Sequence, residues 1–152
     1  MEEPFAKCIT YQAGYNYRLV KPYSVYLGIP TITGEPVVTD WITYIDGVMT
    51  LLRGYAWDGA SGPARDTKSI MRAAAEHDGG YQLIRLGYIA PEYRAFFDFL
   101  FRETYRADVA RSASWWRRAI GKVRKDWLYL GVHWFGGPSA EPSAERPVLT
   151  AP

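Results

Sequence analysis

The first half of the chain alternates short β-branched and aromatic runs with turn-forming residues. Residues 15–27 are rich in tyrosine and valine and are interrupted by Pro22, which predicts short strands, one of them at a sheet edge. Residues 37–45 and 48–52 are further runs of this kind, separated by Asp46-Gly47. Because an Asp-Gly pair tolerates the positive φ angles of a two-residue turn, this segment predicts a β-hairpin.

The second half carries apolar residues at helical spacing, and this pattern predicts about three helices, at residues 67–86, 91–107 and 114–134. Gly87 would end the first helix and Pro91 would begin the second. Each helix has a stripe of residues three or four apart, and these stripes predict the buried faces. The stripe of the third includes four residues that we expect to be buried: Trp116, Ile120, Val123 and Trp127.

Strands that come first and helices that follow predict an α+β domain, in which helices pack on one face of a small antiparallel sheet. Residues 1–137 would form this single globular domain, and residues 138–152, rich in proline, alanine and serine, would form a C-terminal tail. Residues 54–65, rich in glycine, would form an ordered surface loop. Gly79-Gly80 inside the first helix predicts a kink or a close approach of another segment to the helix backbone.

Composition excludes several classes of protein but does not identify the function. The chain has 152 residues and 22% charged residues with a net charge of +2, which fits one folded domain and not a disordered chain. Cys8 is the only cysteine, so neither a disulfide framework nor a zinc site of several cysteines can form. No run is long and apolar enough to predict a membrane span, and the acidic start predicts no signal peptide.

The candidate chemistry is one set of polar residues in the middle of the chain: Asp58, His77, Asp78 and Asp98. His77-Asp78 lies on the first predicted helix, Asp58 in the preceding loop, and Asp98 on the second helix, one turn after Arg94. An imidazole among carboxylates could orient a general base or bind a divalent cation, so these four residues are both catalytic and metal-ligand candidates. The other interpretation of the same pattern is a hydrogen-bonded cluster that only stabilises the fold.

Three segments follow one another in an order that resembles a known family. They are the loop that contains Asp58 and Ser61, the helical His77-Asp78 with Tyr81, and Arg94 followed by Asp98. The family comprises small, functionally uncharacterised proteins of tailed bacteriophages and prophages. Its pattern is a Gly-x-x-x-Asp-x-Ala-Ser-x-Pro loop, a helical His-Asp-x-x-Tyr, and an Arg followed by Ala-Asp. Phe97 stands where the family has a small residue. The resemblance implies a phage source and a common fold, but it does not imply that the protein catalyses a particular reaction.

Two functions remain open at this point. The first is a virion component of the tail or head–tail region, in which case other phage proteins are the expected partners and the virion or the host cytoplasm is the location. The second is a small, metal-assisted hydrolase that acts on host envelope material through Asp58, His77, Asp78 and Asp98. The basic residues between 101 and 135 are better explained by a solvated helix face than by nucleic-acid binding. Twelve tyrosines fit strand positions or a protein interface equally well, so self-association stays open.

Overall fold

A computed structural model describes residues 11–12, 17–59 and 68–111. It contains seven short strands, β1 to β7, and two α-helices, α1 (Lys68–Arg85) and α2 (Arg94–Ala110), with a 3-10 turn at Pro91–Tyr93 before α2. The α+β class is therefore confirmed, but the described residues contain two α-helices and not about three. Two predictions lie outside the described residues: the tail at 138–152 and the helix at 114–134, with the four residues of that helix that we expect to be buried.

The strands form two antiparallel sheets where the sequence predicts one. The three-stranded sheet has the order β1 (Tyr11–Gln12), β2 (Tyr17–Leu19), β7 (Ala56–Trp57). The four-stranded sheet has the order β3 (Tyr23–Tyr26), β6 (Val48–Leu51), β5 (Ile42–Ile45), β4 (Val37–Val38). Pro22 lies between β2 and β3, and its missing N–H explains why one run divides between two sheets. The expected loop after residue 54 includes β7, a strand that the sequence pattern does not reveal.

The predicted hairpin is confirmed as β5–β6. Asp46 and Gly47 at its turn have φ angles of 50° and 76°, and Ile45 pairs with Val48. Positive φ at both central residues is the requirement that Asp-Gly meets with least strain. The hairpin fixes which strand residues face inward: Ile42, Tyr44, Met49 and Leu51 are all buried.

Helix α1 lies on this inner face, and α2 packs against α1. Both close approaches occur at the glycine pair, and a close approach is one of the two alternatives that the sequence predicts there. A Cβ added at Gly79 would lie 2.8 Å from Leu51 Cδ2, and one at Gly80 would lie 2.1 Å from the ring of Phe97. Gly80 thus leaves room for the ring of Phe97. Phe97 is completely buried, which contributes about 1.5–3 kcal/mol to folding.

Neither helix in the described ranges combines the length and apolar character that a bilayer span requires.

Candidate functional site

His77 lies on the face of α1 that meets α2, and both of its ring nitrogens are close to carboxylates. Nε2 lies 3.1 Å from Asp98 Oδ1, and Nδ1 lies 3.5 Å from Asp78 Oδ1. The His77 side chain is 9% exposed and the Asp98 side chain 0%, whereas Asp78 is 30% exposed. The imidazole therefore joins the two helices in a nearly dry environment and approaches solvent only on the Asp78 side.

Tyr81, one turn after His77 on α1, completes the contact with Asp98. Its hydroxyl donates to Asp98 Oδ1 at 2.6 Å, and its ring centroid lies 4.1 Å from that of His77. Arg94 Nε donates in turn to the Tyr81 hydroxyl at 3.1 Å, while the edge of Phe101 closes the other side of the imidazole. We call His77, Asp78, Tyr81, Arg94 and Asp98 the histidine cluster.

Electrostatics favour a charged imidazole in this cluster. Burial is the largest single influence and lowers the pKa of His77, but the hydrogen bonds and charges of Asp78 and Asp98 together outweigh it and raise the pKa above its usual value. For Asp78, burial raises the pKa more than the adjacent His77 lowers it. Burial and the bond to Asp98 raise the pKa of Tyr81, so its hydroxyl stays a donor at neutral pH.

Asp58 occupies the edge of this arrangement. It is exposed directly after β7, and its negative charge contributes to the raised pKa of Asp78, so the two carboxylates lie within electrostatic range. The structure therefore brings both Asp78 and Asp98 into direct contact with His77, while Asp58 acts on Asp78 only through its charge. Of the four residues that the sequence groups, three are joined by contacts of His77, and a contact of Asp58 with them stays a prediction.

The expected divalent-cation site has no support in the described part of the chain. No group of three or more His, Cys, Asp and Glu side chains there is arranged to hold a metal ion. The geometry of His77 gives a reason, because each ring nitrogen already faces a carboxylate oxygen, Asp98 Oδ1 at 3.1 Å and Asp78 Oδ1 at 3.5 Å. Whether Asp58, His77, Asp78 and Asp98 act in catalysis stays a prediction.

A second buried polar cluster surrounds Glu76, the residue directly before His77, and sequence reasoning missed it. Glu76 is fully buried and accepts hydrogen bonds from Tyr23 at 2.5 Å and from Thr104 at 2.6 Å. Arg72, one turn earlier on α1, approaches Glu76 to 3.7 Å. Burial raises the pKa of Glu76, whereas these partners oppose that increase.

Arg72 extends this second cluster to α2. Its Nε and Nη2 donate to the two carboxylate oxygens of Asp108 at 3.1 and 2.8 Å, and Arg111 also pairs with Asp108. We call Tyr23, Arg72, Glu76, Thr104 and Asp108 the glutamate cluster. The spacing of Arg72 and Glu76 on one helix face was the only sequence signal for it. Tyr23 comes from β3, and a contact over 53 residues of sequence leaves no local pattern.

No protein-family model, curated protein or solved structure matches this chain.

Proposed function

We propose that this protein is a structural or assembly component that acts through contacts with other proteins, and that its histidine cluster stabilises the fold. The observation that carries the proposal is the closure of His77. A general base must have one ring nitrogen within reach of a substrate proton. Here one nitrogen faces the completely buried Asp98 and the other faces Asp78, while two aromatic rings flank the imidazole.

The charges within the cluster support a stabilising role. With His77 and Arg94 positive and Asp78 and Asp98 negative, the formal charges sum to zero. Buried charges persist in proteins when they are paired and hydrogen-bonded, and each one is costly to leave without its partner. The cluster therefore fixes the position of α2 against α1 without requiring a ligand.

The resemblance to tailed-phage proteins supports a more specific form of the proposal, a virion component in the tail or head–tail region with other phage proteins as partners. Exposed aromatic and aliphatic side chains on the four-stranded sheet, such as Tyr26 and Trp41, suit a protein that works through contact surfaces.

Mass spectrometry of purified particles tests the proposal. Particles would be prepared from the phage or induced prophage whose genome encodes this chain, and its copy number would be measured against the major capsid protein. We expect the protein in the particle, or in an assembly intermediate, at a fixed ratio to its neighbours. Protein that remains entirely in the soluble lysate, with none in particles or intermediates, would contradict the proposal.

A turnover screen on envelope material separates this proposal from the alternative hydrolase. Wild-type protein and His77→Gln would be assayed on peptidoglycan and phospholipid in the presence of Mg²⁺, Mn²⁺, Ca²⁺ or Zn²⁺. We expect no difference between the two proteins. Hydrolysis by the wild type that disappears in a folded His77→Gln variant would replace our proposal with the hydrolase.

A further inference from the structure

The four-stranded sheet has an outward face, opposite to the one that α1 covers. Strand alternation assigns side chains to it, and the ladder extends one step beyond β5 and β6 because the amide of Leu52 donates to Trp41 O at 2.8 Å. We call this surface the outer face. It consists of Ser24, Tyr26, Val38, Trp41, Thr43, Ile45, Val48, Thr50 and Leu52.

The outer face is unusually apolar for a sheet surface. None of its nine residues is Asp, Glu, Lys, Arg or His, whereas a solvated face of an antiparallel sheet normally alternates polar residues with the buried ones. Val38 is 71% exposed, Tyr26 60%, Trp41 49% and Ile45 43%. Contiguous exposed apolar surface of this kind marks sites of protein association.

Its two aromatic rings lie close to the backbone of glycines. A Cβ at Gly47 or Gly28 would lie 3.1 Å from the ring of Tyr26, and a Cβ at Gly54 would lie 2.8 Å from the ring of Trp41. Both rings thus rest against backbone that only glycine leaves open.

The charges at the two ends of the outer face differ in sign. Lys21, Arg53 and Asp40 lie at the end where β3 begins and β6 ends, which gives that end a net charge of +1. Asp46, in the hairpin turn, lies at the opposite end, and Glu35, two residues before β4, lies toward that same end. All five side chains are exposed, and the hairpin end has a net charge of −2.

We propose that the outer face binds the outer face of a second copy of this chain. Two sheets would pack face to face at about 10 Å, related by a two-fold axis that runs across the strands. This axis reverses the strand direction, so that the basic end of each copy faces the acidic end of the other. Absence of charge in the centre of the face removes like-charge repulsion, and the opposite ends set the orientation.

The outer face is too small to form a stable interface alone, so the loops at its two ends contribute to the contact. Four strands span about 19 Å, and five residues along a strand span about 17 Å. A stable interface buries about 800 Å² on each partner, so the loops with Lys21, Arg53 and Asp46 become part of the contact. The inference deepens the proposed function, since it rests on contact as the mode of action and names one partner.

The test is sedimentation velocity of the full chain over about 1–100 µM, a range that brackets interfaces of micromolar Kd. We expect a dimer for the wild type and at least a tenfold higher Kd for Ile45→Glu, which replaces an exposed apolar side chain of the face by a charge. Phe99→Glu is the matched control, because Phe99 is an apolar residue of α2 that is 51% exposed. The control should dimerise like the wild type.

Charge variants test the orientation. Arg53→Glu should raise the dimer Kd severalfold, and Arg106→Glu, on the exposed side of α2, should leave it unchanged. A wild-type chain that is monomeric throughout the range would overturn the proposal, as would a dimer that Ile45→Glu leaves intact. If a monomeric wild type is accompanied by a lower Tm for Ile45→Glu than for Phe99→Glu, another segment of the same chain covers the face and the proposal fails. Detection of the protein in particles does not depend on either result.

Discussion

Glu76 and His77 are neighbours in sequence, yet each is the centre of a different polar cluster. The glutamate cluster joins three elements, because Tyr23 comes from β3, Glu76 from α1 and Thr104 from α2. The histidine cluster joins α1 to α2 and reaches the Asp58 loop on its Asp78 side. The glutamate cluster has no feature that sequence reasoning associates with catalysis, whereas the histidine cluster has the residue types of an active site.

The geometry makes the two clusters alike. In each cluster, a completely buried carboxylate accepts a hydrogen bond from a tyrosine hydroxyl and lies near a basic side chain. Around Glu76 these are Tyr23 and Arg72. Around Asp98 they are Tyr81 and His77. The comparison teaches that a helical His-Asp pair is weak evidence for chemistry. Accessibility of the imidazole is the property that distinguishes a catalytic from a stabilising pair, and sequence spacing does not encode it.

The largest effect is expected from removal of either central carboxylate. Asp98→Ala leaves His77 Nε2 and the Tyr81 hydroxyl without their acceptor, and Glu76→Ala does the same to the hydroxyls of Tyr23 and Thr104. Each should lower the free energy of unfolding by about 3–5 kcal/mol. Glu103→Ala is the control, since its exposed pair with Arg106 contributes about 0–1 kcal/mol. Urea unfolding measures all three, and a loss for Asp98→Ala as small as the control's would show that Asp98 is solvated.

Alanine substitutions at Gly79 and Gly80 compare how tightly α1 packs against the sheet and against α2. Gly80→Ala places a methyl group 2.1 Å from the ring of Phe97, directly beside Asp98, and we expect a loss of about 1–3 kcal/mol. Gly79→Ala meets the flexible end of Leu51, and the gain of about 1 kcal/mol in helix propensity should offset most of the strain. Thermal unfolding of both variants gives the comparison. Equal losses of stability would mean that α1 packs no more tightly against α2 than against the sheet.

A double-mutant cycle asks whether the clusters are separate units. His77→Gln and Asp98→Asn share a hydrogen bond, so their effects should be coupled by about 0.5–3 kcal/mol. His77→Gln and Glu76→Gln have adjacent backbones but different partners, and their effects should add to within about 0.5 kcal/mol. Additive effects for the first pair would show that His77 and Asp98 stabilise the fold independently. The histidine cluster would then not be an energetic unit.

The smallest effect is the pH dependence that His77 confers. The pKa of His77 is raised in the folded protein, so its contribution to stability is complete below the unfolded pKa of about 6.5 and is lost as pH rises through the higher folded value. The free energy of unfolding should therefore fall with pH above about 6.5, and the fall should be shallower in His77→Gln. Denaturant titrations at a series of pH values from mildly acidic to mildly basic measure both slopes. Identical slopes would contradict the raised pKa.

How far the sequence predicts this fold depends on the range of the interactions. The Asp46-Gly47 hairpin and the end of α1 before Gly87 were predictable because local chemistry determines them. At Gly79-Gly80 the sequence left a kink and a close approach as alternatives, and the structure shows the approach. The division into two sheets and strand β7 were not, because two-residue strands are defined by partners far away in the chain.

The candidate site shows the same limit. The approach of Asp98 to His77 followed from two helices with a short connection, and the electrostatic effect of Asp58 on Asp78 is consistent with the expectation that Asp58 lies near α1. The fully buried Glu76 could not be recognised, because its partners lie on β3 and α2 and only the folded chain brings them together. The closure of His77 by Asp78, Phe101 and Tyr81 is likewise a property of packing, which spacing alone does not predict.

Nitrogen-15 NMR of the His77 imidazole tests the central claim, that this ring is a closed, charged link between α1 and α2. The full chain would be labelled at histidine, His77 would be assigned with His77→Gln, and both ring nitrogens would be followed over pH. Our account predicts a pKa above about 6.5 and ring N–H signals that persist because exchange with water is slow. A ring that titrates at its usual pKa, with N–H signals lost to rapid exchange, would contradict the account and would make His77 an accessible base.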